Sequence, residues 1–419
     1  MSMILNRRYK VNNILIILIV LFLIQNAVSD YICVFDYVDE IYALLGVVLI
    51  IYKGLFGRVK INKRAITYLV LFGVYSLSCL LGNFIYQYQP LNIVLIDLFT
   101  NFKFFGAIVT SLVLFRNVNY DIDKRCILKI VRVCSVSLFI LLIVDLQLHV
   151  FRDDGYRYGF RSEQLIYVLP TYLAGATAFI LGLLLIFFEK SNYKYMIITL
   201  VVLVSTLRSK AIAVALVYMV ILYVVEMRDK RFKTWHVISI ITIGIVVAWS
   251  QIQFYYVKLE GSSARSLLTL TSLKILNDYF PIGTGFGTFA SHGAAVNYSP
   301  VYFKYGLNNY WELSDANPNA FFDDTFWPII IGQSGIMGTL AYVWLLVKMF
   351  CINTKVRVLS KHMYATVLFV FAYLIISSTS EPSFNNAVAI PMAMLLGYSW
   401  AYLNKYDRKD LKTALGLKR

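Results

Sequence analysis

Charge is scarce in this chain: only 15% of its 419 residues are Asp, Glu, Lys or Arg, against roughly 25% in soluble domains. That shortage excludes an ordinary water-soluble globule. Histidine is nearly as sparse. The four, His149, His236, His292 and His362, show no pair at metal-ligand spacing, so no metal site is expected. The five cysteines, Cys33, Cys79, Cys126, Cys134 and Cys351, make no CxxC motif and give no disulfide framework. A Walker loop and a kinase-like residue set are both missing, which argues against ATP-driven chemistry. No cofactor is expected. Internal repeats are missing too, and with them the duplicated halves that many transporters show.

What is present is apolar. Hydrophobic residues make up 59% of the chain and the mean hydropathy is +0.68. Long apolar runs recur from end to end, which predicts an all-α integral membrane protein, 1–419 as one polytopic domain. At about 20 residues per span, twelve spans are expected. They lie at 11–28, 38–56, 65–83, 92–115, 127–150, 166–188, 195–206, 211–226, 235–254, 326–350, 363–380 and 387–403. The first run lacks a small-residue cleavage site and reads as a retained span rather than a signal peptide.

The net charge of +16 points to basic loops on one side of a bilayer, not to nucleic acid. With both termini cytoplasmic, the clusters "NRRYK", "GRVKINKR", "DIDKRCILKIVR", "EKSNYK", "MRDKRFK", "INTKVRVLSKH" and "NKYDRKDLK" all fall inside, as the positive-inside rule requires. Two outer segments then break the pattern. Loop 151–165 carries Arg152, Arg157 and Arg161. Loop 255–325, between spans nine and ten, carries Lys258, Arg265, Lys274 and Lys304. Long loops in compact proteins tend to carry function. A third feature is the tight turn in "VSTLRSKAIAV", which leaves Arg208 and Lys210 at membrane depth, where ionisable groups face a polar cavity or a partner, or else snorkel to the interface.

Within the large loop, "PIGTGFGTF" spaces Gly283, Gly285 and Gly287 like a phosphate-cradling turn. The segment before it, "ARSLLTLTSLKILNDYF", reads as a helix rather than the strand a dinucleotide fold needs. The glycines are therefore expected to permit a tight return and close backbone approach. On the preceding helix Arg265, Thr269 and Ser272 share one face. Arginine forks in this setting suit a phosphate-bearing substrate. His292, Glu312, Asp323 and Asp324 are the outer groups able to take a proton. Asp324 is the first choice; the alternative is that the Asp323–Asp324 pair caps the span that follows.

These segments resemble a known family. "SARSLLTLTSLKILNDYFPIGTGFGTF" is similar to the Arg-then-PxxGxGxGxF signature of the O-antigen ligase and Wzy-type polysaccharide polymerase superfamily. "VSTLRSKAIAVAL" and "DDTFWPIIIGQSGIMG" resemble two further stretches of it, over roughly residues 145–350. The resemblance implies a GT-C-like fold without a metal or cofactor. It also implies that Arg208 and Arg265 bind the diphosphate of an undecaprenyl-diphosphate-linked sugar, with Arg157 or Arg161 as an additional contact to phosphate or sugar. It further implies that Gly283, Gly285 and Gly287 shape the substrate cavity. Lys210, beside Arg208 in the turn, is a further candidate contact from its position alone. Asp324 stands where ligases carry histidine and Gln333 where they carry glutamate, which leans toward a repeat-unit polymerase. The expected reaction is glycosyl transfer at the outer face of a bacterial plasma membrane. Lipid-linked oligosaccharides and the bilayer are the expected partners, with a chain-length regulator and a flippase alongside. The alternatives are ligase-type transfer to another acceptor and a glycan flippase or transporter, for which Asp97, Lys103 and Asp145 would line a path.

Overall fold

In lipid every backbone N–H and C=O must find a partner within the protein, so apolar runs of this length become helices. The computed structural model describes residues 2–55, 63–117, 120–230, 235, 236, 242, 253, 263–317 and 321–405. Helices α1 (Ser2–Val28), α2 (Val38–Leu55), α3 (Lys63–Tyr86), α4 (Leu91–Leu114) and α5 (Tyr120–Leu148) come first. A hairpin of β1 (Arg152–Arg157) and β2 (Phe160–Leu165) precedes α6 (Pro170–Ile186), α7 (Tyr193–Ser205) and α8 (Ser209–Ile221). Next come α9 (Ala264–Asp278) and the short α10 (His292–Val296) and α11 (Pro300–Lys304). The chain closes with α12 (Trp327–Cys351), α13 (Asn353–Leu359), α14 (Lys361–Ser377) and α15 (Ala389–Lys405).

The protein is thus an all-α membrane protein in its bulk. Five helices are long and apolar enough to cross a bilayer: Ala65–Tyr86, Leu91–Leu114, Lys124–Leu148, Ser209–Met227 and Trp327–Leu359. Asn13–Val28, Pro170–Ile186 and Lys361–Ser377 are apolar but shorter. Every expected span but the ninth coincides with a helix; the ninth, 235–254, falls outside the described residues apart from isolated positions. At 13 residues, α7 is about 20 Å long, short of a hydrocarbon core of about 30 Å.

Helix α6 is buried on nearly every side, as befits a helix apolar all round, and packs against α7 and α14. Around it α15 lies on α4, α2 on α4, α3 on α12, and α5 on α7. Two differences from the expected organisation matter. Loop 151–165 is not irregular but an antiparallel hairpin, with Tyr156 opposite Arg161 and Arg157 opposite Phe160. The described part of loop 255–325 is likewise structured: α9 packs on α12, and α10 on α4.

Candidate functional site

Cations from three separate elements meet at one end of the bundle. The turn between α7 and α8 presents Arg208, whose guanidinium is 2.8 Å from Asp154 of β1. Arg157 of the same hairpin reaches the same Asp154 oxygen at 3.0 Å. Two residues beyond Arg208, the Lys210 ammonium lies 2.8 Å from Glu381, in the α14–α15 connection. Both Arg208 and Arg265 are within electrostatic reach of Lys210. Arg265, at the start of α9, grips Asp324 with two nitrogens, at 2.5 and 3.1 Å. The structure therefore brings together Arg157, Arg208, Lys210 and Arg265 and sets three carboxylates, Asp154, Glu381 and Asp324, against these four cations. Bidentate pairs of this kind also fix the guanidinium plane.

The glycine stretch is a packing device. Gly283, Gly285 and Gly287 all take left-handed φ values of 73°, 101° and 72°, which side chains other than glycine rarely adopt. A Cβ on Gly285 would fall 2.6 Å from the Asn83 backbone nitrogen. Its amides are already engaged: Thr284 and Gly285 donate to Gly332 and Gln333 carbonyls at 3.0 and 2.9 Å. Phe286 donates to the Asn83 side chain and Gly287 to the Asp97 carboxylate, each at 2.8 Å. The receiving carbonyls are available because α12 breaks at Gly335, with φ 59° and ψ −163°. Met337, the natural donor to Gln333, bonds the Pro281 carbonyl instead. Loop and broken helix thus satisfy each other's backbone groups, as buried non-helical backbone must. The loop shapes the site but has no amides to spare for phosphate at these positions.

The four proton-accepting candidates separate by environment. Glu312 accepts the Ala264 N–H at 2.6 Å, capping the first turn of α9 and so placing Arg265. Asp324 is committed to Arg265. Neither Asp323 nor Asp324 caps α12, whose N-cap is Phe326 without a side-chain bond. Asp323 and His292 remain open to solvent and lie within electrostatic reach of one another. Surrounding protein pushes the Asp323 carboxyl above the usual carboxylate range, opposed by the nearby His292. The hydroxyls of Thr269 and Ser272 turn back onto their own helix, to the Arg265 and Thr269 carbonyls, each at 2.7 Å.

Arg161 stands apart from the cluster. Its nitrogens hold Asp153 at 2.8 Å, Asp145 at 3.2 Å, the Phe151 carbonyl at 2.5 Å and His149 at 2.8 Å. This guanidinium staples the hairpin to the end of α5. Beneath it Glu163, 1% exposed, faces Asp145. Burial and the neighbouring Asp145 push the Glu163 carboxyl up to about 7. Two of the charges that suggested a transport path are locally paired as well: Lys103 lies 2.6 Å from Asp39, and Asp145 serves the hairpin.

Asp154 and Glu381 were missed by the sequence reading. Their signal was available, because both acids lie in segments that the charge pattern assigns to the same side as the arginines. Fold and site together define an all-α membrane protein with a cluster of four cations and three carboxylates at one end of its helices. No protein-family model matches the chain, and no curated protein matches it.

Proposed function

We propose that the protein polymerises undecaprenyl-diphosphate-linked oligosaccharide repeat units by glycosyl transfer at the outer face of a bacterial plasma membrane. In this reading the chain spans the membrane twelve times, with both termini in the cytoplasm. The observation that carries it is the convergence of Arg157, Arg208, Lys210 and Arg265. The motif resemblance points Arg208 and Arg265 at a lipid diphosphate, with Arg157 as an additional contact, and Lys210 lies beside them. The opposite end of the bundle supports the orientation, with Lys124 and Arg132 on Glu189 and Lys361 and His362 on Glu226.

The donor diphosphate would displace Asp154 from Arg157 and Arg208, while Arg265 keeps its grip on Asp324. An acceptor sugar hydroxyl attacks the anomeric carbon, forming the new glycosidic C–O bond. The bond from that carbon to the diphosphate oxygen breaks, and undecaprenyl diphosphate leaves with the electron pair. Fixed guanidinium groups stabilise the charge it gains. The hydroxyl proton passes to Asp323, which is open to solvent and whose carboxyl the surrounding protein raises above the usual carboxylate range, making it the better proton acceptor. Asp323 takes this role ahead of Asp324 because Asp324 is held by Arg265.

The test is reconstitution. Purified protein given only lipid-linked repeat units should produce a ladder of longer chains. If no ladder forms but glycan moves onto a different added acceptor, the ligase reading replaces this one. Cells lacking the protein should still flip single units and attach at most one to the final acceptor; single units trapped inside would indicate a flippase instead.

A further inference from the structure

Asp97 sits in the second turn of α4, 2% exposed, and its surroundings are all donors. Its Oδ2 accepts the Gly287 N–H at 2.8 Å and faces the Asn101 amide at 3.5 Å. The Ser291 hydroxyl and the Gln333 side chain reach the same carboxylate. Its Oδ1 lies 3.5 Å from where a side chain on Gly293 would begin. His292, between Ser291 and Gly293, is within electrostatic reach. Asn101 is itself fixed by the Tyr75 hydroxyl at 2.9 Å. Gln333 also holds the Phe289 carbonyl and the Ser291 hydroxyl, at 2.9 and 3.0 Å. One buried carboxylate therefore ties the glycine loop, the start of α10 and the break in α12 to the rigid α4.

We infer that Asp97 is a positioning residue that sets the place of His292 beside Asp323. This inference rests on the polymerase reading of the site. Ionisable groups at membrane depth are costly and are kept where they serve a site. Here donors on several sides require two accepting oxygens. An amide in its place keeps one acceptor and turns its NH2 toward a donor, and it loses the extra strength of a charge-assisted bond. The loop would then shift away from α4 and carry His292 with it. Donor binding, which depends on the cations across the site, would be little altered.

The experiment compares wild type, Asp97→Asn and Asp97→Glu as full-length protein in lipid nanodiscs. Lipid-linked repeat units isolated from producing cells are the substrate. Asp97→Asn should lower kcat by about tenfold or more, since small displacements at a reacting centre have effects of that size, with KM for the donor unchanged. Amide exchange should quicken across 285–293 and stay unchanged in α6 and α14. Asp97→Glu keeps the charge and should recover part of kcat. Wild-type kcat with wild-type loop exchange in Asp97→Asn overturns the inference. So does faster exchange throughout the bundle, which would mark a packing role alone. If wild type makes no polymer, the polymerase reading fails, and loop exchange in Asp97→Asn still decides whether Asp97 positions this segment.

Discussion

Replacing Glu163 with glutamine should remove a pH response built into the hairpin. Glu163 is buried against Asp145 with both carboxyl oxygens lacking a hydrogen-bond donor, and its carboxyl rises from an ordinary 4.5 to about 7. The titratable and charged groups around it are Asp145, Asp153, Arg161 and, through Arg161, His149. When the hairpin opens into water, Glu163 regains its ordinary acidity. A carboxyl raised in the closed state contributes stability that is complete below about pH 4.5 and is lost as pH rises toward 7. The difference between those values corresponds to about 3 kcal/mol, or roughly a hundredfold in the opening equilibrium. Amide exchange of 152–168 in wild type, divided by that in Glu163→Gln at the same pH, cancels the intrinsic pH dependence of exchange. That ratio should climb by about two orders of magnitude between pH 4.5 and 7.5. A ratio constant over this range, or a hairpin better protected at high pH, refutes the reasoning.

Arg208→Ala and Arg265→Ala should each abolish polymer while leaving the protein in the membrane, and Arg265→Lys should fail as well because an ammonium cannot reproduce a bidentate grip; normal polymer from both Ala variants removes the cluster from the mechanism. Asp323→Asn should retain lipid-diphosphate binding and stop transfer, whereas Asp324→Asn should keep measurable turnover; the reverse result, read by single-turnover assay, returns the base to Asp324. Lys210→Glu and Glu381→Lys should each lower thermal stability in detergent, by up to the roughly 3–5 kcal/mol that breaking a fully buried pair costs, since this pair is mostly but not wholly shielded. The double exchange should recover part of the loss, and no recovery would show that the 2.8 Å contact contributes nothing.

Helix identity was legible in the sequence because it depends on a local quantity. A run of apolar residues in lipid has one way to satisfy its backbone, and the helices from α1 to α8 lie where those runs do. The turn at Arg208 was legible for the same reason, because the run from Tyr195 to Val225 is too long for one helix. The arginines were conspicuous because they interrupt segments that the positive-inside pattern leaves poor in positive charge.

What each charge does was decided by the tertiary fold, because pairing links residues far apart in the chain. Arg161 and Arg157 look alike in "GYRYGFR", yet the strand register sends one into a staple with Asp145 and leaves the other beside Arg208. Asp323 and Asp324 are neighbours, but only Asp324 meets Arg265, 59 residues away. The glycine spacing implied a tight return and close backbone approach, and the left-handed φ values and the contact with Asn83 are that geometry. That its amides serve a broken helix and a buried Asp97, rather than a ligand, depended on Gly335 and α4 arriving at the same place. Local sequence set the helices and the stock of charges; long-range packing decided which charges are consumed by the scaffold and which stay open to solvent.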